Sequence, residues 1–325
     1  MRLVMSVCFF LGTLLMAAAM PQAWAQQGAY PTRPIRFIVP FPPGGSADGI
    51  ARIIAQQMTQ VMGQQWLVDN RPGADGVLAA NIVIKAAPDG HTTFLGTNTP
   101  MSAAPALRKV PPYDPVKDFS ALGMVGHVTF IVFVSPTVPA KTLSELLDYA
   151  RANPSKVNYG TGNAGSIVAT AQLKSLAKLD ITHIPYKGDA PATTDLMGGR
   201  LQFAIMAPIP ALAQAQAGRL RMVAVLLPKR SSLVPDVPTI AEAGMPGVSI
   251  SPWQGVFGPP GMSRDIVARL SRDLNTVLSR PEARDQIGKQ GVEVQTSTAS
   301  ELTIHTRDQY LAWSKVIRET GIPQE

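Results

Sequence analysis

The sequence predicts an α/β fold with largely parallel sheets, and three observations carry that prediction. Short apolar strand patterns alternate with stretches of helical period across brief connections. One unit, a strand followed by a glycine-rich loop and a helix, occurs twice, more than a hundred residues apart. No fixed short repeat of the kind that builds a solenoid is present. Two similarly built domains are therefore expected.

In the first unit, Ile35, Phe37 and Val39 alternate and are followed by Pro40, which reads as a buried strand ending in a turn. Pro42-Pro43-Gly44-Gly45-Ser46 forms the loop. Ile50, Ile53, Ile54, Met58 and Val61 then fall on one helical face. Ser46 is expected to be the N-cap, and Asp48 in the first turn suits the helix dipole. A strand at Trp66 to Val68, an Asn70-Arg71-Pro72-Gly73 turn, a short alanine-rich helix and a strand at His91 to Leu95 follow.

In the second half, Thr142 and Glu145 make a capping box for a helix that must stop before Pro154. A strand at Val157 to Tyr159 leads into the second loop, Gly160 to Ser166, where Ser166 also sits where an N-cap belongs. The next helix runs through Ala171, Leu173 and Leu176. Strands are expected at Ile181 to Tyr186, Leu201 to Met206 and Leu220 to Leu226, with a short helix ending at Gly198-Gly199. The last third holds two long helices. Ser263 caps one, whose face is Ile266, Leu270, Leu274 and Val277; Thr298 and Glu301 open the other, which ends near Gly321.

The N-terminus reads as an export signal. Arg2 is followed by an apolar run from Leu3 to Met20, and Ala23-Trp24-Ala25 supplies a small-x-small cleavage site, so a mature chain beginning at Gln26 in the periplasm is expected. The run approaches spanning length, which leaves a membrane anchor as the alternative. Cys8 is the only cysteine, so the mature protein has no disulfide. The 300 residues that remain of 325 can bury a core without one. The formal charge of +7 falls to +6 without Arg2, and its cations are scattered singly, as at Arg33, Lys85, Arg151 and Arg200. With no basic block and 6% aromatic residues, no nucleic-acid partner is expected.

A glycine-rich loop opening a helix presents free N–H groups and the positive end of the dipole, which suits an anion. Neither loop has the lysine of a Walker motif. Gly160-Thr161-Gly162-Asn163-Ala164-Gly165 matches the dinucleotide fingerprint literally, but it lies mid-chain in an exported protein. No G-x-S-x-G elbow is present, and His91, His127, His183 and His305 are far apart in strand or helix patterns. No metal-ligand spacing occurs, so neither a metal nor a cofactor is expected. Taken together, the two loops favour a shared carboxylate site.

PIRFIVPFPPGGSADGIAR, DNRPGADG, AAPDGHTTFLGTN, YDPVKDF, VNYGTGNAGS, HIPYKGDAP and VPDVPTIAEAGMPG are blocks that resemble, in order, the tripartite tricarboxylate transporter receptors, the Bug-type periplasmic solute-binding proteins. They span nearly all of residues 34–261. The resemblance implies a two-domain flytrap of the type II periplasmic class, with a mixed sheet in each domain and two crossing segments, near residues 125–134 and 249–257. On that reading residues 26–125 plus 250–325 form one domain and residues 126–249 the other. It also implies that an organic acid is held by main-chain groups, hydroxyls and bridging waters.

Carried over residue by residue, the implied site comprises Phe41, Pro43, Gly44, Gly45 and Ser46 from the first loop. Thr161, Gly162, Asn163 and Ser166 come from the second, with Thr97 and Asn98 after Gly96 and Tyr186 before Lys187-Gly188. Asp48 reads as a cap, since a carboxylate repels an anionic solute. Two departures stand out. Ile167-Val168-Ala169 follows Ser166 where many relatives have a histidine, and Ala207 stands where some carry an aspartate that could pair with a ligand amine. Both make the distal pocket more apolar, so the expected ligand is an acid with an apolar body, or a dicarboxylate, and not an amino acid.

The reading is a monomeric periplasmic receptor that passes a small organic carboxylate to membrane transporter subunits. A secreted hydrolase using Ser46 or Ser166, and a solute sensor for a signalling system, are the alternatives.

Overall fold

The computed structural model describes residues 30–324. The export signal, its cleavage site and Gln26 lie outside those residues. Strand β1 (Ile35–Val39), helix α1 (Ser46–Met62) and β2 (Trp66–Asn70) form the first unit; α2 (Val77–Ile84) and β3 (Thr92–Thr97) follow. β4 (Ser120–Val128) and β5 (Ile131–Val134) come next, then α3 (Leu143–Ala152). The second unit is β6 (Asn158–Thr161), α4 (Ala164–Ala177) and β7 (Thr182–Pro185). It continues through α5 (Asp189–Met197), β8 (Phe203–Met206), α6 (Ile209–Gln216) and β9 (Arg221–Val225). β10 (Trp253–Gly258), α7 (Arg264–Ser279), α8 (Pro281–Lys289), β11 (Val292–Val294) and α9 (Ala299–Thr320) complete the chain.

The strands make two sheets, ordered β11-β4-β10-β3-β1-β2 and β7-β6-β8-β5-β9. Each βαβ unit gives parallel pairs, as its helical crossover requires: β1 runs parallel to β2 and β3, and β6 parallel to β7 and β8. The sheets are nevertheless mixed. β10 is antiparallel to β3 and β4, β11 to β4, and β5 to β8 and β9. These are strands reached without a βαβ crossover from their neighbours, and they correct the largely parallel pattern taken from periodicity alone.

The predicted helix ends are present. Glu145 N–H bonds Thr142, Ile266 N–H bonds the Ser263 hydroxyl, and Thr298 and Glu301 make the reciprocal box of α9, which closes on left-handed Gly321. Ile50, Ile54 and Met58 bury one face of α1. Phe37 meets Trp66 edge-to-face at 5.4 Å under the first sheet. Trp313 anchors α9, which packs on both β4 and α4 and so touches both halves.

β4 of the first sheet gives way to β5 of the second after only Thr129 and Phe130. That passage is clamped: Thr129 N–H donates to Gly291 C=O (2.8 Å), and the Thr129 hydroxyl lies 3.1 Å from that of Ser231. Glu293 accepts from the Ser231 hydroxyl (3.0 Å) and the Ser232 N–H (2.7 Å). Beside it, Gly126 lies at φ +151°, and a Cβ there would collide with the Glu293 carbonyl. Gly126→Ala is expected to cost about 1–3 kcal/mol of stability, read from the denaturant midpoint. A midpoint equal to the parent's would show that the β4–β11 pairing tolerates a side chain there.

Candidate functional site

The first loop leaves β1 at Pro40 and turns through Gly44, whose φ of +87° is one that a residue with a Cβ rarely adopts. Gly45 is extended and is the actual N-cap of α1, with no side-chain cap bond. Ser46 is instead the first helical residue. This corrects the sequence expectation, and the reason is that Asp48 does the capping work from within the helix. Its carboxylate accepts from Gly44 N–H, Arg52 Nε and Asn70 Nδ2, each at 3.0 Å, and Asn70 also bonds the Phe41 carbonyl at 3.0 Å. Burial opposes the charge on Asp48, but those three donors outweigh it and hold its carboxyl below the ordinary value.

The Ser46 hydroxyl is thereby left buried without a partner among the described residues. So are three other polar atoms: Thr97 Oγ1 at the end of β3, Asn98 Nδ2 just beyond it, and Gln254 Nε2 on β10. Gln254 pairs in register with Thr97 and is 1% exposed. The residues bearing all four atoms line one cavity of about 500 Å³. A buried polar group left unpaired costs about 1–3 kcal/mol, so four on one wall mark a surface built for a polar guest. The helix contributes as well. Its first internal bond is Gly49 N–H to Gly45 C=O (3.0 Å), so the amides before it lack partners within the helix.

The facing wall carries Gly162 and Asn163 of the second loop, Lys187 to Pro191, Ala207, Ile209 and Pro210, with Val128 and Phe130 at the crossing. Phe41, Pro43, Gly44, Gly45, Ser46, Thr97, Asn98, Gly162, Asn163 and Ala207, all singled out from the sequence, come together around this cavity. Thr161, Ser166 and Tyr186 do not line it. Asn163 is the N-cap of α4, accepting from Ser166 N–H at 3.0 Å, and the Ser166 hydroxyl turns back to the Asn163 carbonyl at 2.8 Å. Ser166 is therefore the third residue of a capping box and not the cap itself. Thr161 Oγ1 is 2.6 Å from His183 Nε2, and burial lowers that imidazole's pKa, with Lys174 adding to the effect. Tyr186 donates to Asp195 at 2.7 Å, and burial with that carboxylate pushes its phenol up to about 12. These three side chains shape the loop from behind.

The two walls touch. Asp75 accepts from Ala164 N–H at the start of α4 (3.0 Å), and a Cβ on Gly165 would strike Asn98 Nδ2 and stand 3.3 Å from Thr99 Oγ1. Lys187 and Asp189 are the only charged side chains on the lining among the described residues. No histidine lies there, so Ser46 has no imidazole base on this surface. Among the described residues, no group of three His, Cys, Asp or Glu side chains could hold a metal.

Sequence reasoning missed Gln254 and Asp189. A lone glutamine in the apolar run WQGVFG was a usable signal for the first. Asp189 resembled an ordinary first-turn acid. Burial pushes its carboxyl up to about 6, opposed by a bond from Ala207 N–H.

Residues 50–322 match the model of the "Tripartite tricarboxylate transporter family receptor". The chain belongs to that receptor family. It is 33% identical to Protein BugT of Bordetella pertussis over 325 residues, covering 98% of each chain. Among solved structures it is similar to "R. palustris Rpa4515 with adipate", with 31% identity and a TM-score of 0.84 over 90% of this chain and 98% of that one. It is also similar to MatC from Rhodopseudomonas palustris with bound malate, with 30% identity, a TM-score of 0.80, and 89% and 100% covered. Its two mixed sheets with flanking helices are the two-domain, type II fold of periplasmic binding proteins. A further similar structure is that of the periplasmic binding protein BugD, with 29% identity and a TM-score of 0.82 over 90% of this chain and 99% of that one.

The Asp48 arrangement makes a signed prediction. Its folded-state pKa lies below the unfolded value, so its contribution is complete above the unfolded value and lost as pH falls through the folded one. Asp48→Ala should cost about 1–3 kcal/mol at pH 7, and parent and variant should converge in acid. Denaturant titrations at pH 7 and pH 3 check this, and an equal gap at both would assign the loss to packing.

Proposed function

We propose that this protein is the periplasmic receptor that captures a small organic carboxylate for a tripartite tricarboxylate-type transporter. The observation that carries this reading is the wall of four partnerless polar atoms, on Ser46, Thr97, Asn98 and Gln254, beside the amide end of α1. Amide and hydroxyl donors around a helix N-terminus match a carboxylate in shape and sign, and bonds to an ionised acceptor are the stronger kind. No arginine lines the cavity among the described residues. Dipoles do the holding, which suits capture that must be reversed. The adipate and malate held by the two similar Rhodopseudomonas proteins support the ligand class.

We further infer that residues 26–125 with 250–325 move as one body against residues 126–249, about the crossings at Thr129–Phe130 and before Trp253. The solute closes them because contacts to both loops exist together only in the closed form. The receptor works as a monomer, delivers to membrane subunits of the transporter and uses no cofactor. Of the alternatives, the hydrolase lacks a base beside Ser46, and a sensor would differ only in its partner.

A thermal-shift screen of organic acids followed by calorimetry tests the reading. Gln254→Ala and Asn98→Ala should each weaken the best acid at least tenfold while the fold persists by circular dichroism. Unchanged affinity in both would remove the polar wall as the binding surface. Gly45→Val bears on the same wall: a Cβ at Gly45 meets no protein atom and φ is ordinary, so the fold should survive while the valine occupies ligand space. The export reading has its own check, since mass spectrometry of the periplasmic fraction should find a chain starting at Gln26. Intact Met1 on a membrane-embedded product would contradict it.

A further inference from the structure

Asp189 belongs to the cavity and has no cation. Its residue begins α5 and is half-buried on the cavity lining, with its Oδ1 against Gly162 and 3.5 Å from Asn163 Nδ2. Ala207 N–H gives it one hydrogen bond. It forms no ion pair among the described residues, whereas Asp48, Asp69, Asp195 and Asp273 are each paired with arginine. Lys187, two residues earlier, is exposed and makes no ion pair with it. Among the described residues, the walls contributed by α1, β3, β10, the β4–β5 crossing and α6 present no ionisable side chain to the cavity. Asp195, on the same helix, is occupied by Arg200 and Tyr186.

A cavity that holds a carboxylate on one wall and a second, unneutralised carboxylate on the other repels a purely anionic guest. A half-buried charge on an otherwise uncharged wall is favoured by a partner, and a marginal amide contact is a weak substitute. The partner can come with the solute. Ala207 offers no acid of its own, but its N–H favours the charged form of Asp189, and both residues line the cavity, so an acidic group reaches that place from another element.

We propose that the solute is an aminocarboxylate, whose carboxylate meets Ser46, Thr97, Asn98 and Gln254 while its ammonium pairs with Asp189. This rests on the carboxylate-receptor reading and reverses the exclusion of amines drawn from Ala207. It makes Asp189 the residue that separates amino acids from plain acids and dicarboxylates of equal length.

Calorimetry with α- and ω-amino acids of four to six carbons, each beside the acid lacking the amine and the dicarboxylate of the same length, tests it. At pH 7.5 at least one amino acid should bind ten times more tightly than both counterparts. Asp189→Asn, which keeps an acceptor for Ala207 N–H, should erase that preference without weakening the plain acid. In the parent protein, lowering the pH from 7.5 to 5 protonates Asp189, so affinity for the amino acid should fall. A purely acidic ligand would show the opposite trend, because the protonated carboxyl becomes a donor. Acids that bind with no preference for the amine, or a preference that survives Asp189→Asn, overturn the role of Asp189 and leave the receptor reading standing. Failure of every acid to bind overturns both.

Discussion

The first loop depends on a carboxylate that faces away from any solute. Asp48 draws the Gly44 amide, the Arg52 guanidinium and the Asn70 amide onto one buried point, and Asn70 carries the tie on to the Phe41 carbonyl. Three elements, α1, β2 and the loop, are thereby fixed relative to one another. With the loop held from behind, the helix needs no hydroxyl cap, and the hydroxyl of Ser46, a cavity-lining residue, stays unspent. The partnerless wall is thus a consequence of where Asp48 sends its hydrogen bonds.

The two loops solve the same problem in opposite ways. In the second, Asn163 and Ser166 spend their side chains on each other, closing the start of α4. Apart from the Ala164 amide, which Asp75 takes, its helix end is satisfied locally, and what it offers the cavity is surface and the bare Cα of Gly162, with Asp189 beside it. One wall is rich in unspent polar groups and the other carries an acid. On the proposed reading this polarity would orient a guest without an arginine clamp.

Much of this was legible in the sequence where the signal is local. The β1–loop–α1 unit, the second glycine loop, the Thr142 cap, the capping box at Thr298 and the Gly321 terminus all follow from residues within one or two turns of each other; at Thr142 the box itself is incomplete, because the Glu145 carboxylate accepts from Lys141 N–H instead. β4 and β10 were not legible as strands: SALGMVGHV and WQGVFG are buried on both faces, so no alternation marks them. The assignments of Ser46 and Ser166 failed for a subtler reason. A serine at a helix start can cap, serve as third residue or stay free, and the choice is made by Asp48 and Asn163 nearby. Gln254 and Thr97 became neighbours only through a strand pairing between residues more than 150 positions apart. Asp189 gained meaning only once α5 was seen to start at the cavity wall.

The contact between Asp75 and the Ala164 amide has a bearing on traffic through the membrane. Asp75 is exposed and Ala164 buried, and water would serve both groups if the two walls separated, so the contact contributes little net free energy, about 1 kcal/mol for an ordinary hydrogen bond. On the proposed closure, an empty molecule gains too little from this latch to stay shut. Few unloaded receptors would then present the shut outline to a transporter, which would meet mainly cargo-bearing ones and lose few encounters to idle partners.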